Sequence, residues 1–152
     1  MPINWTDDLN TGIDVIDHQH RRIVEFVNDL EAAQVLGDKQ KIKGVIDDCV
    51  EYTLSHFTFE ESLQAEAGYL YCKPHKKVHE LFVRKINEFQ SRMDLGEDVS
   101  AELHGVLSRW LVNHIKHDDA DYVSAVKEKM PSAAPPPCAE NPKSWFQKLF
   151  GR

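Results

Sequence analysis

The sequence predicts an all-α protein whose four helices form an antiparallel up-and-down bundle. Apolar residues recur at intervals of three and four in four long segments, which is the period of a single helix face. Short breaks separate these segments, and short connections between long helices make neighbouring helices antiparallel. No segment carries a convincing strand pattern. A helical bundle therefore accounts for the whole periodic part of the chain.

Each of the four segments ends at a residue that is unfavourable inside a helix. The apolar stripes span residues 16–30, 42–63, 75–93 and 103–114. The segments that carry them end at Gly37, Gly68, Gly96 and Pro131, respectively. Pro74 is compatible with the third helix, because proline is accepted in the first turn of a helix. We therefore expect the bundle over residues 1–130, with an N-terminal arm before the first helix.

The composition changes after the fourth segment. Residues 131–142, PSAAPPPCAENP, have the character of an extended proline-rich linker. Residues 143–152, KSWFQKLFGR, form a short C-terminal tail that is basic and amphipathic. Two interpretations of this tail stay open: it packs on its own bundle or frays, or it binds a membrane surface or a groove of a partner protein.

Charge and composition exclude several classes of protein. The formal net charge of −7 argues against binding to nucleic acid, which requires a basic face. No stretch approaches the roughly 20 apolar residues of a membrane span, and the first residues lack the pattern of an export signal. The three cysteines suit free thiols in a reducing compartment. We expect a cytoplasmic protein and, although no exposed stripe decides the oligomeric state, a monomer.

Potential metal ligands occupy the inward-facing stripes of all four predicted helices. These residues are His20, His56, Glu60, His75, His79 and His114. The pairs His56/Glu60 and His75/His79 are spaced i, i+4, so each pair projects from one helix face. Burying so many polar groups without compensation would cost a few kcal/mol for each group, and more for a carboxylate. Bound metal supplies the compensating charge.

The ligand types restrict the metal and the chemistry. Imidazole with a minority of carboxylate suits iron, zinc, copper or nickel rather than calcium or magnesium. Five histidines and a carboxylate exceed the four ligands of a closed zinc site, and they fit two adjacent ions that share a carboxylate. The segment HKKVH lacks the glutamate of the zinc peptidase motif. The Glu-x-x-His pairs of ferritin-like di-iron proteins are absent from the sequence.

Four sequence segments resemble those of the hemerythrin family, in particular its single-domain bacterial members, the bacteriohemerythrins. The segments are DDLNTGIDVIDHQH, HFTFEE, HKKVH and WLVNHIKHDD, and the resemblance spans residues 3–130. It implies a non-haem di-iron centre with two iron ions per chain and a solvent-derived oxo or hydroxo bridge. The implied ligands are His75, His79 and His114 on one iron, His20 and His56 on the other, and Glu60 and Asp119 as bridges.

The position of Asp119 requires an irregular helix. Asp119 follows His114 by five residues, which places it about 140° away around a regular α-helix. We therefore predict a widened turn between the two residues, such as the π-bulges found at functional sites. If the helix is regular there, Asp118 is the better bridge.

The resemblance implies reversible binding of dioxygen for storage, delivery or sensing, and no enzymatic activity. Trp110, Leu111 and Ile115 flank His114 and are candidates for an apolar wall around the ligand pocket, although they fit equally well as plain core residues. Two alternatives remain: a di-iron enzyme that reduces oxygen, peroxide or nitric oxide, and an iron reservoir. The histidine-rich ligand set favours reversible binding over the enzyme, and the reservoir stays open.

Overall fold

The protein is entirely helical apart from its N-terminal arm and its turns, within the residues 1–129 that the computed structural model describes. The predicted linker and tail, residues 131–152, lie outside this range. The helical elements are a 3₁₀ turn at Asp7–Leu9, α1 at Asp14–Leu36, α2 at Lys39–Glu66, α3 at Cys72–Asp94, α4 at Ser100–Asn113, a π-helical segment at His114–Asp119, and α5 at Ala120–Lys129. The last three elements follow one another without a break and form the fourth rod of the predicted bundle, which is confirmed.

The turn between α1 and α2 shows how local sequence sets the bundle topology. Gly37 adopts the left-handed conformation, with φ of 65°, and closes α1. Asp38 follows at once, and its side chain accepts a hydrogen bond from the backbone N–H of Lys41, which caps the start of α2. The two-residue connection forces α1 and α2 to run antiparallel.

The core is divided into two apolar clusters along the bundle axis. The larger cluster includes Ile23 and Ile115, and the smaller one includes Ile16 and Tyr122. Predicted metal ligands lie between residues of the two clusters along the chain. On α1, His20 lies between Ile16 and Ile23. On the fourth rod, one predicted ligand likewise lies between Ile115 and Tyr122. The ligand layer is therefore enclosed by apolar side chains on both sides, where the local dielectric is low.

The N-terminal arm is held against the bundle by hydrogen bonds. The backbone N–H of Ile3 donates to Oδ1 of Asn28 at 2.8 Å, and the amide of Asn28 donates back to the carbonyl of Ile3 at 3.0 Å. Buried Asp17 accepts hydrogen bonds from the backbone N–H groups of Thr11 and Gly12. These contacts fix the arm along α1, from Asp17 in its first turn to Asn28 in its second half.

The predicted widening of the fourth rod is confirmed. Residues His114–Asp119 form a π-helical segment between α4 and α5. A π-turn spans more residues than an α-turn, so Asp119 returns to the face of His114 despite the five-residue spacing. The Nε2 atom of His114 lies 3.0 Å from Oδ1 of Asp119. No helix within residues 1–129 is both long and apolar enough to cross a bilayer.

Candidate metal centre

The structure brings all seven predicted ligands together in one buried layer. They form two sets that could each hold a metal ion and that share Glu60: Glu60, His75, His79, His114 and Asp119, and His20, His56 and Glu60. Within each set the ligand atoms lie within 4.8 Å of one another. Every member is at most 5% exposed. We call these the three-histidine set and the two-histidine set.

Glu60 presents its two oxygens to different sets. Its Oε1 lies 2.8 Å from Nε2 of His75, which belongs to the three-histidine set. Its Oε2 is nearest to the two-histidine set, 3.0 Å from Nε2 of His56, and lies 3.8 Å from Nε2 of His79 in the three-histidine set. A carboxylate in this orientation is suited to bridge two adjacent cations.

Asp119 has the same divided arrangement. Its Oδ1 lies 3.0 Å from Nε2 of His114 and 3.2 Å from Nε2 of His75. Its Oδ2 lies 3.0 Å from Nε2 of His20, in the two-histidine set. The π-helical segment makes this possible, because it aligns Asp119 with the inward face of the fourth rod. Both carboxylates therefore stand between the same two groups of imidazoles.

The polar atoms of these residues are better suited to bind a metal ion than to form hydrogen bonds with one another. Five polar atoms of the ligand layer are buried and have no hydrogen bond among the described residues, although they lie close together. They are Nε2 of His20, Nε2 of His75, Oε2 of Glu60 and both carboxylate oxygens of Asp119. Unsatisfied buried polar atoms are destabilising, and a cluster of them directed at a common space is suited to bind cations. A donor set of imidazoles and carboxylates is compatible with iron.

Three of the histidines are oriented from behind by hydrogen bonds. The Nδ1 atoms of His56, His79 and His114 lie 2.7, 3.0 and 2.7 Å from acceptor oxygens of Gln19, Glu61 and Asp118, respectively. A proton on Nδ1 that is donated to these acceptors leaves the lone pair of Nε2 free to bind metal.

Sequence reasoning did not assign these outer acceptors. Asp118 lies outside both ligand sets and accepts a hydrogen bond from His114, so the condition under which it would replace Asp119 as a bridge is not met. Gln19 and Glu61 are direct sequence neighbours of His20 and Glu60. Their adjacency to two ligands was the available signal, but it did not reveal which histidine each would reach.

Burial keeps two of the histidines neutral, as a metal ligand must be. It lowers the pKa of His79 to about 3 and also lowers the pKa of His56. Burial acts in the same direction on His75, but the adjacent carboxylates of Asp119 and Glu60 outweigh it and raise the pKa of His75 to about 10. The adjacent Asp119 carboxylate also raises the pKa of His114. The carboxylates therefore favour the protonated form of these two imidazoles in the metal-free chain.

The two carboxylates remain anionic despite their burial. Desolvation raises the pKa of each, but close contacts with the surrounding imidazoles hold the pKa of Asp119 well below its ordinary value and that of Glu60 below its own. Nearby Tyr122 is neutral, since burial, followed by the charges of Glu60 and Asp119, raises its pKa well above the usual value.

An apolar cavity adjoins the ligand layer, where it meets two histidines of the two-histidine set and one of the three-histidine set. It is lined by His20, Ile23, Val27, Thr53, His56, Phe57, Phe82, Leu107, Trp110, Leu111 and His114. Two of the three residues predicted for the wall, Trp110 and Leu111, line this cavity. Ile115 differs from the prediction, because it is buried in the larger apolar cluster and does not line the cavity.

Aromatic rings cover two of the ligands on the cavity side. Phe57 stacks on His79 with ring centroids 3.8 Å apart, and Trp110 stacks on His114 with centroids 4.3 Å apart. Phe57 was not predicted, although it follows His56 directly. Stacking restricts rotation of both imidazoles and keeps water from their faces.

Comparisons with known proteins agree with the fold and the site. The family model described as "Hemerythrin HHE cation binding domain" matches residues 11–126. The chain is 56% identical over 126 residues to "Bacteriohemerythrin" of Pseudomonas aeruginosa (strain LESB58), covering 83% of this chain and 82% of that protein. It is 54% identical over 123 residues to "Bacteriohemerythrin" of Stenotrophomonas maltophilia (strain R551-3), covering 81% and 80%.

A solved structure shares the architecture as well. The structure titled "Crystal structure of hemerythrin:wild-type" superimposes with a TM-score of 0.79 at 27% identity, covering 83% of this chain and 98% of that one. The helical bundle, the histidine and carboxylate cluster and these similarities lead to one conclusion. This chain belongs to the hemerythrin family of non-haem iron proteins that bind oxygen.

Proposed function

We propose that the chain binds dioxygen reversibly at a centre of two iron ions. In this assignment the ligands are His75, His79 and His114 for one iron, His20 and His56 for the other, and Glu60 and Asp119 as bridges beside a solvent-derived oxo or hydroxo group. The observation that supports it most directly is the division of both carboxylates, each with one oxygen toward each histidine set.

The chain's own residues account for selectivity and protection. Iron, when bound, supplies the electrons that attachment of dioxygen requires. The two-histidine set offers fewer protein ligands, and the apolar cavity adjoins that set. Dioxygen is small and apolar, so it enters such a cavity readily, whereas water gains few hydrogen bonds there. Trp110 and Leu111 therefore form a wall that excludes water from the open side.

Binding rather than catalysis follows from the ligand set. Five imidazoles against two carboxylates favour reversible binding over the oxidation of a substrate. We propose a cytoplasmic monomer that stores, delivers or senses dioxygen. Residues 1–130 constitute the functional domain in this proposal, and residues 131–142 link it to the tail. The tail, residues 143–152, would contact a membrane surface or a protein partner.

The test is optical and uses the full chain loaded with ferrous iron under argon. Two iron ions per chain and an absorption band that appears with dioxygen and disappears under argon are expected. His114→Gln should abolish the band, whereas His117→Gln should retain it, because the side chain of His117 is exposed and outside both sets. Sustained consumption of dioxygen with a reductant would instead identify an enzyme, and iron binding without a band would identify a reservoir.

A further inference from the structure

Two histidines of the three-histidine set have carboxylate side chains as outer partners. Nδ1 of His79 lies 3.0 Å from Oε1 of Glu61, whose side chain is 24% exposed. Nδ1 of His114 lies 2.7 Å from Oδ2 of Asp118, whose side chain is 41% exposed. Lys76 lies 3.6 Å from the other oxygen of Glu61 and offsets part of its charge. Two carboxylates outside the ligand layer therefore act on one set.

The outer partner of the two-histidine set is neutral. Nδ1 of His56 lies 2.7 Å from the amide oxygen of buried Gln19. Nδ1 of His20 is buried and has no hydrogen-bond partner among residues 1–129. The two sets thus differ in the charge behind their ligands as well as in the number of ligands.

This difference in charge has an electronic consequence. An imidazole that donates its Nδ1 proton to a carboxylate becomes a more basic ligand, and a nearby anion lowers the energy of a more highly charged cation. An amide acceptor orients the ring equally well but adds no charge. Inside an apolar layer such effects are weakly screened.

We propose that Glu61 and Asp118 are positioning residues that favour the ferric state of the iron in the three-histidine set, whereas Gln19 leaves the other iron easier to keep ferrous. The inference rests on the proposed function and deepens it. It assigns a role to three side chains that bind neither the metal nor dioxygen. The iron of the two-histidine set, next to the cavity, is therefore the one that stays ferrous more readily.

The experiment removes charge while it keeps the hydrogen bonds. Glu61→Gln, Asp118→Asn and the double variant are prepared as full chains with two ferrous ions, and the oxidation of each iron is followed by Mössbauer spectroscopy at fixed potentials. At the iron of the three-histidine set, we expect the ratio of ferric to ferrous ion to fall about tenfold for each charge removed. For one electron this corresponds to about 59 mV.

Three further variants separate this role from general effects. Glu88→Gln removes one charge from an exposed residue of α3 that lies 3.5 Å from Lys85, and it should shift neither iron. Gln19→Glu adds a charge behind His56 and should raise the ferric fraction at the other iron. Glu61→Ala, which also removes the acceptor, should broaden the Mössbauer lines as the ring of His79 loses its orientation.

The outcomes distinguish this inference from the proposed function. A wild-type chain without two iron ions or without a dioxygen band would overturn the proposed function. If the wild-type chain has both, but the double variant and the Gln19→Glu variant show the same ferric ratios as Glu88→Gln, this inference alone would be overturned.

Discussion

Replacing Asp119 should impair both iron sites at once, because its two oxygens face different histidine sets. Oδ1 lies 3.0 Å from His114, and Oδ2 lies 3.0 Å from His20. Loss of an outer partner of a ligand alone weakens metal binding by about 10- to 100-fold. Loss of a direct ligand should cost at least as much at each iron. For two sites this amounts to about 100- to 10,000-fold, or roughly 2.8 to 5.6 kcal/mol.

The assay is an anaerobic titration of the full chain with ferrous iron, with bound iron measured directly and the dioxygen band recorded afterwards. Asp119→Ala should hold less than one iron per chain at concentrations that saturate the wild type, and it should lose the band. Asp118→Ala is the graded comparison, since it removes a neighbouring carboxylate that lies outside both sets and orients His114 from behind. It should weaken iron binding by only about 10- to 100-fold at one set, and at higher iron concentration it should hold two ions and keep the band. A band retained by Asp119→Ala, or lost only by Asp118→Ala, would refute the assignment of the bridge.

Three further predictions concern the wall, the protonation of the site and the turn between the first two helices. Leu111→Ser should lower the free energy of unfolding by about 2–5 kcal/mol. It should also speed the oxidation of the oxygenated protein, because it admits water beside the site. Leu81→Ser, at a position 55% exposed, should leave that oxidation rate unchanged. Since the pKa of His75 is about 10 in the metal-free chain, iron must displace a proton from it. Iron affinity should therefore fall about tenfold for each pH unit from 8 to 6, with about one proton from this residue released per chain, and an affinity independent of pH would contradict the reasoning. Gly37→Ala should destabilise the fold by about 1–2 kcal/mol, because residue 37 has a φ of 65°. Gly44 lies within α2 with open space around it, so Gly44→Ala should stabilise the fold by about 1 kcal/mol. Calorimetry of the two variants provides the comparison.

Much of the candidate site was predictable because each helix presents its ligands with a simple period. His56 and Glu60, like His75 and His79, lie one helical turn apart, so their projection into a common space follows from secondary structure alone. The widened turn was predictable only because the family resemblance had identified Asp119 as a ligand. A five-residue spacing between His114 and Asp119 is then incompatible with a regular helix, since both side chains must face the core.

Other features depend on how closely one helix approaches another. Gln19 reaches His56 across 37 residues of sequence, and Glu61 reaches His79 across 18. Periodicity describes which face of a helix is buried, but it does not state which side chain of a neighbouring helix lies opposite. For this reason the outer acceptors were not identified from the sequence. The exclusion of Ile115 from the cavity has the same origin.

The sequence by itself determined the all-α class, the four periodic segments, the helix-ending residues and the ligand types, because these depend on interactions between residues close in the chain. The tertiary structure alone decided which oxygen of each carboxylate faces which imidazole, which acceptor orients each ring, and where the apolar cavity lies. Those features are set by contacts of a few ångströms between separate helices, and such contacts depend on the packing of the whole bundle.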